Sequence, residues 1–301
     1  MGDGQAPSGT CVVSYADNGG WRAGFLLDGH VLDSAHVPVL GGRGELGMRA
    51  LLALGPAALA EACEQAGGLL ADDGAASRPV TEVKLGPAIP DPAKILCVGL
   101  NYRAHAAESN VDVPTVPTVF AKFQNCLVGS GAGVVMPNCS DQIDYEGELA
   151  AVIGKRCKEV SEADALDYVA GYAAFNDVTA RDMQHQVSQW TVGKSLDTFA
   201  PMGPGIVPAA AVGDPQALQL TTRVNGRVVQ SETTAMMVFS VAQLIAFLSS
   251  AMTLEPGDVI ATGTPSGVGQ SMTPPVYLKA GDEVEVEIDR VGLLRNPVVA
   301  A

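Results

Sequence analysis

Asp144-Tyr145-Glu146-Gly147-Glu148-Leu149 is a strand-like stretch that carries two glutamates two positions apart. Because side chains alternate between the faces of a strand, Glu146 and Glu148 are predicted to point the same way. Two carboxylates held that close repel each other unless a cation or a proton lies between them. Asp177 follows a second strand-like run and supplies a third carboxylate. Oxygen donors without histidine or cysteine nearby suit Mg²⁺, Mn²⁺ or Ca²⁺ rather than Zn²⁺, so the sequence predicts a metal-dependent active site.

The composition excludes several classes of protein. With 301 residues, of which 47% are hydrophobic and 17% charged, the chain can bury a core and is not disordered. Its formal net charge of −15 argues against nucleic acid or an anionic membrane as a partner. An anionic substrate therefore needs a local positive site, supplied by a metal ion, a lysine or an arginine.

The cysteines and the targeting patterns favour a cytoplasmic location. Six cysteines are scattered without a C-x-x-C pair, which is typical of reduced thiols in a protein core. No basic N-terminal segment precedes an apolar stretch, and no apolar run approaches the length of a membrane span. We therefore expect a soluble cytoplasmic protein without a membrane partner.

The chain is predicted to divide into two domains. The stiff, proline-rich segment at residues 86–92 is the predicted boundary. Residues 1–90 carry strand and helix patterns and are predicted to form a small N-terminal α+β domain. Residues 91–301 are richer in strands and contain the three carboxylates, so they are predicted to form the catalytic domain. The predicted fold class is α+β and β-rich.

Turn and periodicity patterns predict the individual elements. Predicted strands lie at residues 10–15, 21–27, 94–99, 148–154, 219–224, 258–262 and 284–288. Predicted turns between strands are Asp17-Asn18-Gly19-Gly20 and Asn225-Gly226. One helix is predicted at residues 48–65, with a break at Gly55-Pro56. Another is predicted at residues 241–251, opened by a capping box of Ser240 and Gln243.

A histidine and a glutamate follow the predicted strand at residues 94–99. In Val98-Gly99-Leu100-Asn101-Tyr102-Arg103-Ala104-His105-Ala106-Ala107-Glu108, His105 and Glu108 stand three positions apart. On a helical turn this spacing lets the carboxylate orient and polarise the imidazole, as a general base requires. A surface helix with an incidental His–Glu pair is the alternative, but the Gly-Leu-Asn-Tyr segment before it favours the general-base dyad.

Four further polar residues are candidates for the same site. Arg181 and Gln184 lie one helical turn apart just after the third carboxylate, so both can face a metal. Arg181 can equally pair with Asp182 or another acid for purely structural reasons. Lys194 follows a glycine, as many solvated loop lysines do. Thr264 belongs to a Thr-Gly-Thr-Pro pattern that usually marks a turn.

Six motifs occur along the chain in a defined order. They are Val-Gly-Leu-Asn-Tyr-x-x-His-x-x-Glu (98–108), Asp-Tyr-Glu-Gly-Glu-Leu (144–149), Gly-Tyr-x-x-x-Asn-Asp-Val-x-Ala-Arg-Asp-x-Gln (171–184), Gly-Lys-Ser-x-Asp (193–197), Val-Asn-Gly (224–226) and Pro-Gly-Asp-Val-Ile-x-Thr-Gly-Thr-Pro-x-Gly-Val-Gly (256–269). In this order they resemble the fumarylacetoacetate hydrolase superfamily, from about residue 94 to near the C-terminus. The first ninety residues match only as the variable N-terminal region of that superfamily.

The resemblance implies a fold and a set of roles. The implied fold is a β-roll of mixed sheets, usually in a homodimer, with Mg²⁺ or Mn²⁺ at the catalytic centre and Ca²⁺ as a possible substitute. By motif, the metal ligands are Glu146, Glu148 and Asp177, and the water-activating dyad is His105 and Glu108. By motif, the catalytic lysine is Lys194, and the substrate-contacting residues are Arg181, Gln184 and Thr264.

Two departures from the animal-type fumarylacetoacetases favour the smaller bacterial-type members. Val98 stands where those enzymes carry an additional acidic residue at the metal site. Ser188 stands where they place a tyrosine. The resemblance therefore implies a substrate other than fumarylacetoacetate.

The activity predicted first is the hydrolysis of a carbon–carbon bond in a 2,4-dioxo acid, which yields pyruvate and a carboxylic acid. His105, oriented by Glu108, would activate the water, and Lys194 and Gln184 would stabilise the oxyanion. Decarboxylation of an oxaloacetate-type 2-oxo acid and isomerisation of a 2-hydroxydienoate are open alternatives at the same site. A protein that binds metal and a small anionic 2-oxo acid without turnover is the alternative from a different class.

Overall fold

Strands predominate in the part of the chain that the computed structural model describes, residues 9–41, 46–72 and 77–301. The strands are β1 (Cys11–Asp17), β2 (Gly20–Leu27), β3 (His30–Asp33), β4 (Ser77–Pro79), β5 (Ile95–Gly99), β6 (Thr118–Lys122), β7 (Leu127–Val128), β8 (Val134–Val135), β9 (Ile143–Asp144), β10 (Gly147–Ile153), β11 (Val169–Asn176), β12 (Thr179–Ala180), β13 (Ala200–Pro208), β14 (Gln219–Val224), β15 (Arg227–Thr233), β16 (Val259–Ala261), β17 (Glu283–Ile288) and β18 (Gly292–Val299). The α-helices are α1 (Met48–Leu52), α2 (Pro56–Ala71), α3 (Arg103–Glu108), α4 (Arg181–Gln184), α5 (Thr191–Lys194), α6 (Ala209–Val212) and α7 (Val241–Ala251). Short 3₁₀ helices lie at Ser34–His36, Pro38–Leu40, Val80–Glu82, Gln124–Cys126, Ala165–Tyr168, Thr234–Met236 and Gly269–Ser271.

Eleven of these strands form one mixed sheet. Its order is β4-β3-β2-β1-β13-β11-β10-β16-β5-β6, and β7 pairs alongside β13. The pairs β16–β5 and β13–β7 are parallel, whereas the other pairs are antiparallel. The first strand joins the rest at Val12 opposite Ile206, so strands from residues 1–90 continue the sheet of residues 91–301. The division into two domains at residue 90 stays a prediction.

Both faces of the large sheet are covered. In β10, Leu149, Ala151 and Ile153 belong to one buried cluster, and Ala150 and Val152 belong to another on the opposite face. The first cluster includes side chains of α7 and of β14, β17 and β18, and the second includes side chains of α1 and α2. Because β10 is covered on both sides, every one of its seven residues is buried.

A second sheet lies against the first. Its five strands follow the order β15-β14-β17-β18-β8, and a separate two-stranded ladder pairs β12 with β9. Strands β14, β17 and β18 contact β10, β11 and β13. The predicted β-rich α+β class is therefore confirmed. None of the helices in the described ranges is both long enough and apolar enough to cross a membrane.

Several local predictions are confirmed. Asn225 and Gly226 have φ angles of 52° and 76°, as the tight turn of a right-twisted hairpin requires. The last helix begins and ends as predicted, and Ser240 accepts from the backbone N–H of Gln243 while its own N–H donates to the Gln243 side chain. The predicted break at Gly55-Pro56 separates α1 from α2.

The strand predicted through residues 144–149 is interrupted, and this expectation was wrong in one respect. The ladder breaks between Asp144, the end of β9, and Gly147, the start of β10. The backbone N–H of Glu146 donates to Oδ1 of Asn176 over 3.0 Å, and that of Gly147 donates to Oε1 of Gln230 over 3.0 Å. Side-chain oxygens therefore replace a strand partner for these two N–H groups.

Candidate active site

The three predicted metal ligands lie together where two antiparallel strands meet. Glu148 is near the start of β10, Asp177 follows the end of β11, and Gly147 pairs with Asn176 between them. The backbone N–H of Asp177 donates to the carbonyl of Glu146 over 2.9 Å, which holds the third carboxylate beside the other two. All three side chains are buried, and one oxygen of each lies within 4.8 Å of the others. The structure thus brings the acidic triad together, and its role as a metal site stays a prediction.

The two cations predicted at the site, Lys194 and Arg181, contact the triad. Nζ of Lys194 lies 2.7 Å from Oε2 of Glu146 and 2.7 Å from Oδ2 of Asp177. Nη1 of Arg181 lies 2.7 Å from Oε1 of Glu146. Both cations are buried, so the interpretation of Lys194 as a solvated loop charge is wrong. Gly193 makes this approach possible, because a Cβ there would lie 2.5 Å from the backbone nitrogen of Gln184.

Burial and neighbouring charges shift the pKa values of the two glutamates in opposite directions. Burial alone would raise the pKa of Glu146, but Lys194 and Arg181 outweigh it and lower that pKa to about 2. Burial, together with Asp177 and Glu146, raises the pKa of Glu148 well above its ordinary value. Burial would lower the pKa of Lys194, yet the two carboxylates beside it raise that pKa, so the amine stays a cation.

A buried lysine that the sequence analysis missed completes the surroundings of the triad. Nζ of Lys122, at the end of β6, contacts Oδ1 of Asp177 and donates to the carbonyl of Val178 over 2.9 Å. Its side chain is fully buried. A single charged residue at the end of the apolar run Val119-Phe120-Ala121 was the available pattern, but nothing in that pattern identifies its partner.

Asp144 also escaped the sequence analysis, although it belongs to the most informative motif. Its Oδ2 accepts from Nε of Arg181 over 2.8 Å and from the backbone N–H of Gln270 over 3.0 Å. Its Oδ1 accepts from the backbone N–H groups of Tyr145 and Gly269 over 2.9 and 2.7 Å. Arg181 therefore pairs with Asp144 and with the triad, and not with Asp182, which accepts from Ser140 and from a backbone N–H.

The donor set fits a divalent cation. The fully buried charges of the cluster are four carboxylates (Asp144, Glu146, Glu148 and Asp177) and three cations (Lys122, Arg181 and Lys194). With all four carboxylates ionised these groups carry one net negative charge, and burial beside Asp177 and Glu146 raises the pKa of Glu148 and so disfavours its ionised form. A divalent ion would convert the sum to one net positive charge, which suits an anionic substrate. Oxygen donors alone favour Mg²⁺ or Mn²⁺.

The predicted dyad has the geometry of a general base. On α3, Nδ1 of His105 lies 2.7 Å from Oε1 of Glu108. The other oxygen of Glu108 accepts from the backbone N–H of Gly267 over 2.8 Å. Because a carboxylate only accepts, the proton between the two side chains belongs to Nδ1, and the neutral ring carries its lone pair on Nε2. The dyad is thus held in the tautomer that a proton acceptor needs.

The residues predicted to contact the substrate, Arg181, Gln184 and Thr264, line one cavity. The cavity encloses about 280 Å³ and is lined by Val98, Gly99, Leu100, His105, Ser109, Val111, Phe120, Glu146, Glu148, Arg181, Gln184, His185, Trp190, Lys194, Thr264 and Gln270. Nη2 of Arg181 is buried and has no hydrogen-bond partner among the described residues. Gln184 accepts from Nη1 of Arg181 over 3.0 Å, which leaves its amide NH₂ as a donor. The hydroxyl of Thr264 donates to the Gly147 carbonyl and accepts from Gln230. The roles assigned through the resemblance stay predictions.

The sequence and fold identify the family. The family model described as "Fumarylacetoacetate (FAA) hydrolase C-terminal" matches residues 94–299, which is more than half of the chain. The chain belongs to the fumarylacetoacetate hydrolase family. This confirms the resemblance inferred from the six motifs, and the family's members are enzymes.

Relatives of this family member include enzymes with named activities. The oxaloacetate tautomerase YisK of Bacillus subtilis is 48% identical over 223 residues, which cover 73% of this chain and 74% of that protein. The mitochondrial oxaloacetate tautomerase FAHD2A of Homo sapiens is 48% identical over 223 residues, covering 73% and 71%. A solved fumarylacetoacetate hydrolase from psychrophilic Exiguobacterium antarcticum covers 97% of this chain and 100% of its own, with a TM-score of 0.82 and 36% identity. The similarity thus reaches both hydrolases and tautomerases.

Proposed function

We propose that this protein is a divalent-metal-dependent enzyme that interconverts the enol and keto forms of a small 2-oxo dicarboxylic acid of the oxaloacetate type. The observation that carries the proposal is that His105 of the dyad lines the same cavity as Glu146 and Glu148 of the acidic triad, and that Glu108 lies 2.7 Å from its Nδ1. The similarity to two oxaloacetate tautomerases supports the substrate class. The homodimer and the cytoplasmic location expected from the sequence stay predictions.

In this proposal the 2-oxo acid end of the substrate binds at the triad. Mg²⁺ or Mn²⁺ held by Glu146, Glu148 and Asp177 would supply Lewis acidity for the negative charge that develops on the 2-oxygen. The unpartnered Nη2 of Arg181 is a buried donor suited to the substrate carboxylate. Lys194, kept cationic by its two carboxylate neighbours, donates towards a developing oxyanion and does not act as a base.

Proton transfer at C3 is assigned to His105. In the keto-to-enol direction, Nε2 accepts the proton from C3 while the electron pair of the C–H bond forms the C2–C3 double bond and the π pair of the C2–oxygen bond moves onto the 2-oxygen. The proton then passes to the 2-oxygen, and the reverse sequence returns it to C3. Glu108 stabilises the imidazolium that exists between the two transfers, because its Oε1 contacts Nδ1.

Hydrolysis of a 2,4-dioxo acid is the second candidate, and the apolar side of the cavity favours it. Val98, Phe120 and Trp190 line that side and offer an apolar surface to a small uncharged acyl group. In this reaction Nε2 of His105 would take a proton from water rather than from carbon. Both candidate reactions use the same dyad and the same triad. Assays with the two different substrates are therefore needed to distinguish them.

The deciding experiment offers the protein two substrates with Mg²⁺ or Mn²⁺ and with EDTA. Enol-oxaloacetate is followed by coupling to malate dehydrogenase, which consumes only the keto form, and acetylpyruvate is followed by pyruvate release. We expect metal-dependent acceleration of the first reaction. Pyruvate from acetylpyruvate alone would establish the hydrolase instead, and pyruvate from oxaloacetate would indicate decarboxylation.

Replacing the proposed base tests its role. His105→Ala is expected to lower turnover by about 100-fold or more, the usual contribution of a general base, while metal binding measured by titration calorimetry persists. His30→Ala is the matched control, since His30 is exposed on β3. Normal turnover by His105→Ala would show that the role given to His105 is wrong.

A further inference from the structure

The indole ring of Trp190 lies directly on the backbone of Gly99. A Cβ at position 99 would lie 2.5 Å from Cζ3 and 3.0 Å from Cη2 of Trp190, so no larger residue fits beneath the ring in this position. Gly99 is the last residue of β5, the strand that leads to the helix of the dyad. The close approach therefore depends on glycine at position 99.

A second aromatic ring fixes the indole from the side. The rings of Trp190 and Phe120 meet edge to face, with centroids 5.5 Å apart and an interplanar angle of 70°. Phe120 also lies under the cationic amine of Lys194, with Nζ 5.1 Å from its centroid. The carbonyl of Trp190 accepts from the backbone N–H of Lys194 over 3.1 Å. The indole thus stands between the strand that leads to the dyad and the short helix that carries the lysine.

These contacts make the indole a wall of the cavity. Trp190, Gly99 and Phe120 all line it, together with Val98, Leu100 and Val111, and these residues supply its apolar side. Val98, Gly99 and Phe120 belong to the paired strands β5 and β6, Leu100 follows β5, and Trp190 directly precedes α5. Discrimination by a packed apolar wall acts through size, because a group that does not fit must displace packed side chains.

We propose that Trp190, seated on Gly99, determines substrate size: the indole closes the apolar side of the cavity and admits only small groups beyond the 2-oxo acid end. The inference rests on the proposed function in one respect, that a 2-oxo acid end binds at the acidic triad. A carboxylate or a methyl group at the far end is accommodated, and an aryl group is excluded. Replacing the indole by a smaller side chain opens the space that the ring fills.

The test compares two probes that share the 2-oxo acid end and differ in one phenyl group. Titration calorimetry of the Mn²⁺-loaded protein with 2-oxobutanoate and with 2-oxo-4-phenylbutanoate gives a ratio of affinities. We expect the wild-type protein to favour 2-oxobutanoate at least tenfold. Trp190→Ala should shift this ratio at least tenfold towards the phenyl compound. Trp190→Leu keeps apolar packing and should shift it in the same direction, which covers the case in which Trp190→Ala does not fold.

The second tryptophan supplies the control. The chain has two tryptophans, and the other, Trp21, lies on β2, where it packs over Gly86. Trp21→Phe should leave the ratio unchanged. It also makes Trp190 the sole tryptophan, so binding of 2-oxobutanoate should alter the remaining fluorescence. If calorimetry detects binding of 2-oxobutanoate and the fluorescence does not change, the inferred contact between Trp190 and the ligand is wrong.

The outcomes separate this inference from the proposed function, because neither probe needs to be turned over. A ratio that stays the same in both Trp190 variants, or a wild-type preference for the phenyl compound, would overturn the size limit. Binding of neither probe by the wild-type protein would overturn it as well. Selective binding of 2-oxobutanoate by a protein without tautomerase activity would sink the proposed function and support the role of Trp190.

Discussion

Asp144 shows how one residue can share a motif with metal ligands and still have a different task. Strict strand alternation would place Asp144 on the same face as Glu146 and Glu148, as a fourth carboxylate of the metal site. The interruption at Tyr145 turns it away, and it receives four hydrogen bonds instead, one of them from Arg181. Asp144 thereby holds the guanidinium beside the triad. It is a positioning residue rather than a ligand.

Removing the charge of Asp144 should destabilise the protein. In Asp144→Asn an NH₂ group faces backbone N–H donors or Arg181, and the buried guanidinium loses one of its two carboxylates. We expect the free energy of unfolding, measured by urea denaturation, to fall by about 3 kcal/mol. Asp182→Asn is the control, because Asp182 is only partly buried and forms no ion pair among those described; it should change stability by less than about 1 kcal/mol. Equal effects of the two variants would contradict the role of Asp144.

At the scale of an element, the loop at residues 262–270, after β16, organises the site through its backbone. The N–H of Gly263 donates to Oε2 of Glu148, and the N–H of Gly267 donates to Oε2 of Glu108, each over 2.8 Å. Two further N–H groups of the same loop donate to Asp144. One loop therefore contacts the triad, the dyad and the positioning residue. The pattern Thr-Gly-Thr-Pro predicts a turn here. The structure shows in addition that backbone N–H groups of this loop bind the carboxylates of Glu148, Glu108 and Asp144.

A glycine in this loop should be essential for turnover. Gly267 has a φ of 105°, and a Cβ there would lie 2.1 Å from the carbonyl oxygen of Val229. Gly267→Ala must therefore displace the loop and break its hydrogen bond to Glu108, and we expect turnover to fall at least tenfold. Gly281→Ala is the matched control, because its φ is 98° but nothing lies within 4 Å of the added Cβ. It should cost about 1–2 kcal/mol of stability through backbone strain and leave turnover intact.

At the scale of the whole molecule, buried charges are concentrated where the two sheets meet. The cluster draws its carboxylates from the ends of β9, β10 and β11, and its cations from β6, α4 and α5. Charges in this environment are costly unless they are balanced, so the folded protein is expected to gain stability from a divalent ion. Metal binding and folding are thereby linked.

Metal addition should raise the melting temperature, and EDTA should reverse the rise. An ion present at a hundredfold excess over its Kd adds about 2.7 kcal/mol, which corresponds to a shift of roughly 4 °C for a chain of this size. Mg²⁺, Mn²⁺ and Ca²⁺ can be ranked in the same thermal scan.

Glu148→Gln supplies the control for this prediction. The amide oxygen can keep the hydrogen bond from the Gly263 N–H, while the charge that burial and two neighbouring carboxylates disfavour is gone. The metal-free variant should therefore melt no lower than the metal-free wild type and should lose the metal-induced shift. A full shift in the variant would show that the ion binds elsewhere.

Short-range features were predictable because their physics lies within a few residues. The turn at Asn225-Gly226, the capping box of Ser240 and the helical spacing of His105 and Glu108 are set by φ preferences and by local hydrogen bonds. Strands β13 and β18 lacked such a pattern and were missed, since proline, glycine or mixed polarity masks their alternation.

The sequence by itself determined the family, the β-rich class and the set of chemical groups, because motif order and side-chain chemistry need no third dimension. Only the tertiary structure decided which groups meet. Three contacts join residues more than fifty positions apart: β1 pairs with β13, Lys122 contacts Asp177, and the indole of Trp190 lies against Gly99. Such contacts depend on how sheets and loops pack against one another, and no local preference of the chain specifies that packing.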